Sequence, residues 1–336
     1  MRKRYNELAA GGCGGVYQDT VLGRKLLASE NILSRLSDEQ RPGVGCEFVS
    51  KLRESGCRES GADLGDNLPA AFWSFNPNWG RSFAPRIQYN TKEDRSPQSV
   101  TMSRVHEGDH AMAYANAAII HTSPFNTNAS YCVMCPETFL TLVDLTERNA
   151  YVKQAWLASL AVKQDPDFYS QTEDDPITAR EFELMRERNG GDLDATLLTA
   201  TQGALSKWKK DCGSYANHYH AGALEAYEAR LKYLHEKGIQ PFFVKMDMTD
   251  LADVGNTYGP NIFAGREEFL RCPKLSDKNA AHLQRLNTAY GLDQRPPMTF
   301  TNLLAMRGDS RQNFLHMSKN WAKRVKTPEF IQSLAA

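Results

Sequence analysis

The sequence predicts a mainly helical α+β protein with little sheet. Long stretches carry apolar residues at helical spacing, Gly and Pro separate these stretches, and only one short segment alternates as a strand does. Hydrophobic residues make up 41% and charged residues 24% of the 336 residues, which is typical of a globular chain. The chain is therefore long enough and apolar enough to fold around a sizeable core.

Helices are predicted where apolar periodicity coincides with residues that begin or end a helix. The predicted helices span 18–36, 99–120, 136–162, 194–209, 214–237, 276–290 and 310–324. Pro136 suits the first turn of its helix, and Ser276 suits an N-cap. Gly238 and Gly291 suit helix ends, because glycine adopts the left-handed conformation there.

The single predicted strand spans residues 85–90, where polar and apolar side chains alternate. Pro85 leads it, and proline lacks the N–H that a central strand needs, so we expect an edge strand. Residues 37–84 are rich in Gly, Pro, Asn and Asp and are predicted to form loops with short elements.

Four regions are predicted along the chain. A flexible lead spans 1–17, and the core spans 18–165. An acidic connector with one short helix spans 166–193, and a helical region that packs on the core spans 194–336.

The charge balance and the cysteines indicate where the protein acts. Lys plus Arg and Asp plus Glu are equal at 40 each, which argues against nucleic acid or anionic lipid as the main partner. No apolar run approaches the ~18 residues of a membrane span, and no apolar segment follows the basic opening. Seven cysteines, an odd number, suit free thiols in a reducing compartment. We therefore expect a cytoplasmic protein without a membrane partner.

Residues 104–114, R-V-H-E-G-D-H-A-M-A-Y, contain the motif with the clearest chemistry. His106 and His110 lie four apart, so on a helix their rings share one face, with Glu107 beside them. Two imidazoles can hold Zn²⁺ and leave room for a third ligand and a water, whose proton the adjacent carboxylate takes. Gly108 lowers helix stability by about 1 kcal/mol relative to Ala. Asp109 is charged where zinc peptidases usually have an uncharged residue. Both observations argue against a zinc site.

The motif arises by chance in roughly 1% of chains of this size, so it needs a third ligand. The helix that begins at Pro136 offers Glu137 and Glu147. Glu147 falls within a stripe of mostly apolar residues: Leu140, Val143, Glu147, Ala150, Gln154, Leu157 and Ala161. Glu137 lines up instead with a polar face that we expect to be solvated: Thr141, Asp144 and Arg148.

Glu147 needs a cation, because a carboxylate in an apolar stripe is costly without one. Two alternatives remain open: a metal shared with His106 and His110, or a buried salt bridge to an arginine. Ala150, near Glu147 on the same stripe, is small enough to allow a close approach of the two helices.

H-E-G-D-H followed by E-R-N-A-Y-V-K-Q-A-W-L resembles the gluzincin zinc peptidases, which combine H-E-x-x-H with a distal Glu in an E-x-x-A/D setting. More narrowly, it resembles bacterial metallopeptidase-like domains of unassigned role, over roughly residues 85–162. The resemblance implies a zincin-like core, with His106, His110 and Glu147 as zinc ligands and Glu107 as base and proton shuttle. It also implies that the strand at 86–90 is an edge that pairs with an extended peptide substrate.

Cys132-Val-Met-Cys135 allows three interpretations: a redox pair, half of a zinc site, or two buried thiols. Thioredoxin-type pairs lie in a βαβ setting that the sequence does not predict, so buried thiols are favoured. A closed, structural Cys2His2 site with His106 and His110 is a further alternative. G-G-C-G-G at 11–15 lacks the Lys-Ser/Thr of a phosphate-binding loop.

His218 and His220 are two apart, so they point to different sides of a helix and cannot share a metal. One of them, or Tyr219 or Tyr151, is a candidate to stabilise an oxyanion, although packing is the commoner role. W-A-K-R-V-K at 321–326 is interpreted as a solvated helix face, since the total charge is neutral.

The sequence thus predicts a zinc-dependent hydrolase, and specifically a metallopeptidase that acts on a peptide or protein substrate with Glu107 as base. The rival is a non-catalytic helical interaction protein whose motif is fortuitous or a structural zinc clip. The rival predicts that a change of Glu107 alone has no effect on function.

Overall fold

The fold is described from a computed structural model of the chain. The structure describes residues 20–65, 69–73, 86–92, 95–121, 130–168, 177–210, 215–238, 240–266, 270–293 and 297–300. The protein is mainly helical with two small sheets, which confirms the prediction of a mainly helical α+β protein with little sheet. Within these residues no helix has both the length and the apolar character to cross a bilayer.

Nine helices and six strands are present in the described part of the chain. The helices are α1 Val21–Leu33, α2 Val44–Glu54, α3 Pro97–His121, α4 Pro136–Gln164, α5 Ala179–Arg188, α6 Leu193–Lys210, α7 Tyr215–Glu236, α8 Met248–Gly255 and α9 Asp277–Ala289. The strands are β1 Arg58–Ala62, β2 Ala70–Trp73, β3 Arg86–Asn90, β4 Ser130–Met134, β5 Gln240–Lys245 and β6 Met298–Thr299.

The predicted helix ends agree with the structure wherever a start or stop residue was present. Pro136 begins α4, and the Ser276 side chain accepts a hydrogen bond from Asn279 N–H at the start of α9. Gly238 and Gly291 follow α7 and α9 with φ of 68° and 67°, a conformation that only glycine adopts without strain.

Strand β3 is the central strand of the first sheet, so its prediction as an edge strand was wrong. The order is β1–β3–β2, with β1 parallel and β2 antiparallel to β3. The prediction rested on Pro85, which lies outside the described residues and is not part of the strand that begins at Arg86. The described edges are therefore β1 and β2.

The second sheet was not predicted. Its three strands are all parallel in the order β4–β5–β6, and β4 pairs with β5 from Ser130↔Gln240 to Met134↔Val244. Strands of two to six residues with partners so distant in sequence give only weak local signals.

Residues 37–84 contain helix α2, where loops with short elements were predicted. Gly43, with φ of 73°, precedes α2, and Phe48 is fully buried on it. Gly45 lies so close to Leu33 of α1 that a Cβ atom there would overlap the Leu33 carbonyl oxygen. Close contact with α1 therefore requires glycine at a helical position, and this weakened the helical signal in the sequence.

Helices α3 and α4 pack against each other at the centre of the structure. Helix α4 is buried around almost its whole circumference, because α3, α5, α6 and α7 all contact it. Its position fixes the residues that it carries relative to those of α3.

Several predictions concern residues outside the described part of the chain: the lead at 1–17 with its glycine loop at 11–15, the helix at 310–324 and the basic segment at 321–326. The cysteines within the described part are free thiols, as predicted: Cys46, Cys57, Cys132, Cys135 and Cys272.

Candidate metal centre

Helices α3 and α4 bring the three predicted ligands together. His110 Nε2 lies 2.9 Å from Glu147 Oε2, His106 Nε2 lies 3.6 Å from the same oxygen, and the two Nε2 atoms are 3.3 Å apart. The three side chains form the one group of potential metal ligands in the described residues. The carboxylate is 2% exposed, whereas the rings are 13% and 11% exposed, so the cluster is open on the imidazole side.

These separations fit a tetrahedral ion. Two donors each ~2.1 Å from a zinc ion and separated by the tetrahedral angle are about 3.4 Å apart. The three observed distances bracket this value. Two imidazole nitrogens and a carboxylate oxygen are also a common ligand set of catalytic zinc, which keeps a fourth position for water.

The Glu147 carboxylate and the imidazoles shift each other's pKa values toward the charged forms. Burial by itself would raise the pKa of Glu147, but the two imidazoles hold that pKa well below its usual range. Burial by itself would lower the pKa of His106, but the Glu147 carboxylate outweighs it and raises that pKa to about 9. Without a metal, a proton on His106 therefore balances the Glu147 charge near neutral pH.

Gln154 fixes the orientation of the His106 ring. His106 Nδ1 lies 3.1 Å from Gln154 Oε1, a carbonyl oxygen that only accepts a hydrogen bond. Nδ1 therefore carries a hydrogen, and Nε2 is the ring nitrogen that faces Glu147. Metal-binding histidines usually have such a partner on the second nitrogen, which sets the tautomer and the ring angle.

Glu107 lies beside the cluster with its side chain partly accessible. Burial raises the pKa of Glu107, the nearby imidazoles of His106 and His110 oppose this, and a hydrogen bond from Phe72 N–H also lowers it. Strand β2 thus contacts the candidate base through its main chain.

The main-chain groups of Phe72 face away from β3. Asn90 N–H donates to Pro69 O, and the antiparallel register pairs Ala71 with Gln88 and Phe72 with Ile87. Because hydrogen-bonded and non-hydrogen-bonded pairs alternate, Phe72 directs its N–H and C=O outward, toward α3.

Aromatic rings border the open side of the cluster. The Phe72 ring stacks on the His110 ring with a centroid distance of 6.3 Å and lies tilted to the Tyr114 ring at 6.0 Å. The Tyr151 ring lies edge-on to the His106 ring at 4.6 Å. Among the candidates for oxyanion stabilisation, Tyr151 is therefore next to the cluster.

His220, another of those candidates, has a different partner. It is buried, and its Nε2 lies 3.0 Å from Asp144 Oδ1 on α4. Arg148 pairs with the same carboxylate, with its Nη2 2.8 Å from Asp144 Oδ2. Glu137 is exposed as predicted, but the rest of its polar face is buried, because α7 packs against it.

Asp109 is fully buried on α3 and has its own cation. Its carboxylate accepts hydrogen bonds from Asn149 Nδ2 at 2.8 Å and from the Thr257 hydroxyl, and Lys153 Nζ lies 3.7 Å away. Lys153 also donates to Thr257 Oγ1 at 2.6 Å, and its ammonium lies over the Tyr258 ring at 4.4 Å. Burial lowers the pKa of Lys153 to about 8, although Asp109 opposes this.

Gly108 has a packing role that the sequence did not reveal. A Cβ atom at this position would lie 2.8 Å from Phe48 Cζ of α2. The glycine that seemed to weaken the motif therefore allows α2 to pack directly against the histidine helix.

The two cysteines of the C-x-x-C motif are not part of the cluster of ligands. Both are buried, and Cys135 Sγ lies 3.0 Å from Thr138 Oγ1. The motif does lie at a strand-to-helix junction, between β4 and α4, contrary to the expectation from the sequence. Burial raises the pKa of Cys135, which is the opposite of what a reactive thiol needs.

Three contributions to the site were not predicted from the sequence. Gln154 had a usable signal, because it is a polar residue in the same stripe as Glu147. The N–H of Phe72 and the pairing of Asp109 with Lys153 had none, because both depend on the three-dimensional arrangement of distant segments.

Comparison with known proteins returns no match to a protein-family model, to a curated protein or to a solved structure. The resemblance to gluzincins thus has no support from a relative and stays a prediction.

Proposed function

We propose that the protein is a zinc-dependent hydrolase, most specifically a metallopeptidase with a zincin-like core. The observation that carries the proposal is the convergence of His106, His110 and Glu147, whose three donor atoms lie at distances suited to one tetrahedral ion. The partly accessible carboxylate of Glu107 beside them supports a catalytic rather than a structural site.

Each residue of the proposed site has a distinct role in hydrolysis. A bound zinc ion supplies Lewis acidity and lowers the pKa of water. His106, His110 and Glu147 hold the ion, and Gln154 keeps the His106 ring in the binding orientation. Glu107 accepts a proton from the attacking water and returns it to the leaving amine, and its raised pKa makes its carboxylate a better base.

Strand β2, in place of the predicted β3, is the edge offered to a peptide. The Phe72 N–H already donates to Glu107 and Ala70 is buried, so the outward C=O of Phe72 is the main-chain group that can accept a hydrogen bond from an extended chain beside Glu107. The rings of Phe72 and Tyr114 form an apolar wall next to His110, which favours large apolar side chains near the scissile bond.

Metal analysis of the purified protein tests the proposal first. We expect about one equivalent of zinc in the wild type and a loss in His106→Ala. His235→Ala, which removes an exposed histidine of α7, is the matched control and should keep zinc. Less than half an equivalent in the wild type, unchanged in His106→Ala, would contradict the proposal.

Activity is tested on a peptide library with mass-spectrometric detection. Zinc-loaded wild type should cleave peptides, and Glu107→Gln should bind zinc without cleaving. Zinc binding with equal, negligible hydrolysis in both proteins would favour the structural zinc clip instead.

A further inference from the structure

The buried cluster around Asp109 links the two helices that carry the metal donors. Asp109 directly precedes His110 on α3. On α4, Asn149 lies two residues after Glu147, and Lys153 directly precedes Gln154. Asp109, Asn149 and Lys153 are therefore each next to, or two residues from, a residue of the metal centre.

We infer that Asp109 and Lys153 are positioning residues that fix α3 against α4 and thereby hold the three donors at metal-binding distances. This inference rests on the proposed function. The pair acts through the helices and touches neither metal nor substrate, since its side chains are 0% and 1% exposed.

The contacts restrict movement of α3 relative to α4. Asn149 Nδ2 and the Thr257 hydroxyl each donate to Asp109, one to each carboxylate oxygen, and Lys153 approaches the oxygen that Thr257 uses. A rotation or slide of α3 would break these contacts together and leave a charge buried without its partner, which is strongly unfavourable. The helices consequently have one favoured register.

The loop after α8 closes the network. Its Thr257 bonds to both members of the pair, and its main chain is fastened independently to two helices. Lys51 of α2 donates to Thr257 O at 2.9 Å, and Asn116 of α3 donates to Asn256 O at 2.8 Å. Thr257 is thus a fixed third support for the pair.

Lys153 is not placed to act on a ligand itself. Its ammonium is enclosed by Asp109, Thr257 and the Tyr258 ring, and its side chain is almost completely buried. Its positive charge therefore neutralises the Asp109 carboxylate in the protein interior.

The test compares Asp109→Asn with Arg104→Lys. Arg104 is a matched control because it is also a buried, ion-paired residue of α3, but it bonds to Glu59 of β1 and Glu30 of α1 and not to α4. Zinc affinity is measured by competition with a chelator, thermal stability by circular dichroism, and ligand geometry by the visible absorption of the Co²⁺-loaded protein.

We expect Asp109→Asn to bind zinc about 10- to 100-fold more weakly than wild type, with altered Co²⁺ bands. Arg104→Lys should lower thermal stability and leave zinc affinity within about threefold of wild type. If Asp109→Asn does not fold, the double variant Asp109→Asn/Lys153→Met, which leaves no lone charge, takes its place with the same expectation.

Two results would overturn the inference. One is wild-type zinc affinity and Co²⁺ bands in folded Asp109→Asn or in the double variant. The other is an equal loss of affinity in Arg104→Lys, which would mean that any destabilisation of α3 weakens the site. A wild type that binds no zinc would instead refute the proposed function, and this inference with it.

Discussion

Two buried carboxylates at the α3–α4 interface meet different partners. Asp109 has a resident cation, Lys153, and two hydrogen-bond donors. Glu147 faces His106 and His110, which in their neutral form offer lone pairs and no charge. The first cluster contains its own cation, whereas the second gains positive charge from a proton or a metal ion.

This difference teaches how to distinguish a structural from a metal-binding carboxylate inside a protein. Burial is the same for both, since Asp109 is 0% and Glu147 2% exposed. What separates them is the chemistry of the neighbours: an ammonium satisfies a carboxylate, and converging imidazoles leave a place for an ion.

The largest expected effect is on catalysis, which only the cluster that contains Glu147 can support. Glu107→Gln should reduce peptide hydrolysis by about 10²- to 10⁴-fold, because the amide cannot accept the proton from water. Zinc content should stay at the wild-type level, as measured by mass spectrometry of the same sample. Retained hydrolysis would assign the base to another residue.

Removing the Glu147 carboxylate should weaken zinc binding more than removing the Asp109 carboxylate. Glu147→Gln deletes a ligand, so zinc should bind more than about 100-fold more weakly, beyond the range of changes to outer partners. Chelator competition measures this, with Glu137→Gln as the matched control, because Glu137 is an exposed carboxylate in the first turn of the same helix. Equal affinities in the two variants would remove Glu147 from the ligand set.

The proton on His106 makes zinc binding depend on pH. In the metal-free protein the pKa of His106 is raised to about 9, so at lower pH zinc must displace a proton. Zinc affinity should therefore rise about tenfold per pH unit between pH 7 and 8 and level off above pH 9. Calorimetry in buffers of different ionisation enthalpy counts the released proton; no release at pH 7 would contradict the predicted protonation.

The smallest expected effect comes from tightening the packing of α3 against α2 without substituting a member of either cluster. Gly108→Ala places a methyl group against Phe48, an overpacking that costs about 1–3 kcal/mol, partly offset by about 1 kcal/mol of helix propensity. Denaturant unfolding should show a net loss of stability. Gly108→Ala/Phe48→Leu should lose less than the sum of the single changes, and an additive result would mean that the two residues do not compete for space.

The sequence best predicted the features that depend on residues close together in the chain. Periodicity and end residues such as Pro136 and Ser276 predicted most of the long helices, because capping and amphipathicity act over a few residues. The spacing of His106 and His110 and the place of Glu147 in a mostly apolar stripe indicated which donors share a face.

The remainder depends on contacts between distant segments. Strand β2 is recognisable only by its pairing with β3, and β4 only by its pairing with β5. From the sequence alone, the charge of Asp109 argues against the motif, but in the structure this charge is paired with Lys153. Local patterns contain no information about such partners.

Diffraction at the zinc absorption edge, from crystals of protein purified without added chelator, tests the central claim most directly. The account predicts one strong anomalous peak about 2.0–2.2 Å from His106 Nε2, His110 Nε2 and a Glu147 oxygen. A peak elsewhere, or no peak at these three atoms in zinc-soaked crystals, would contradict it.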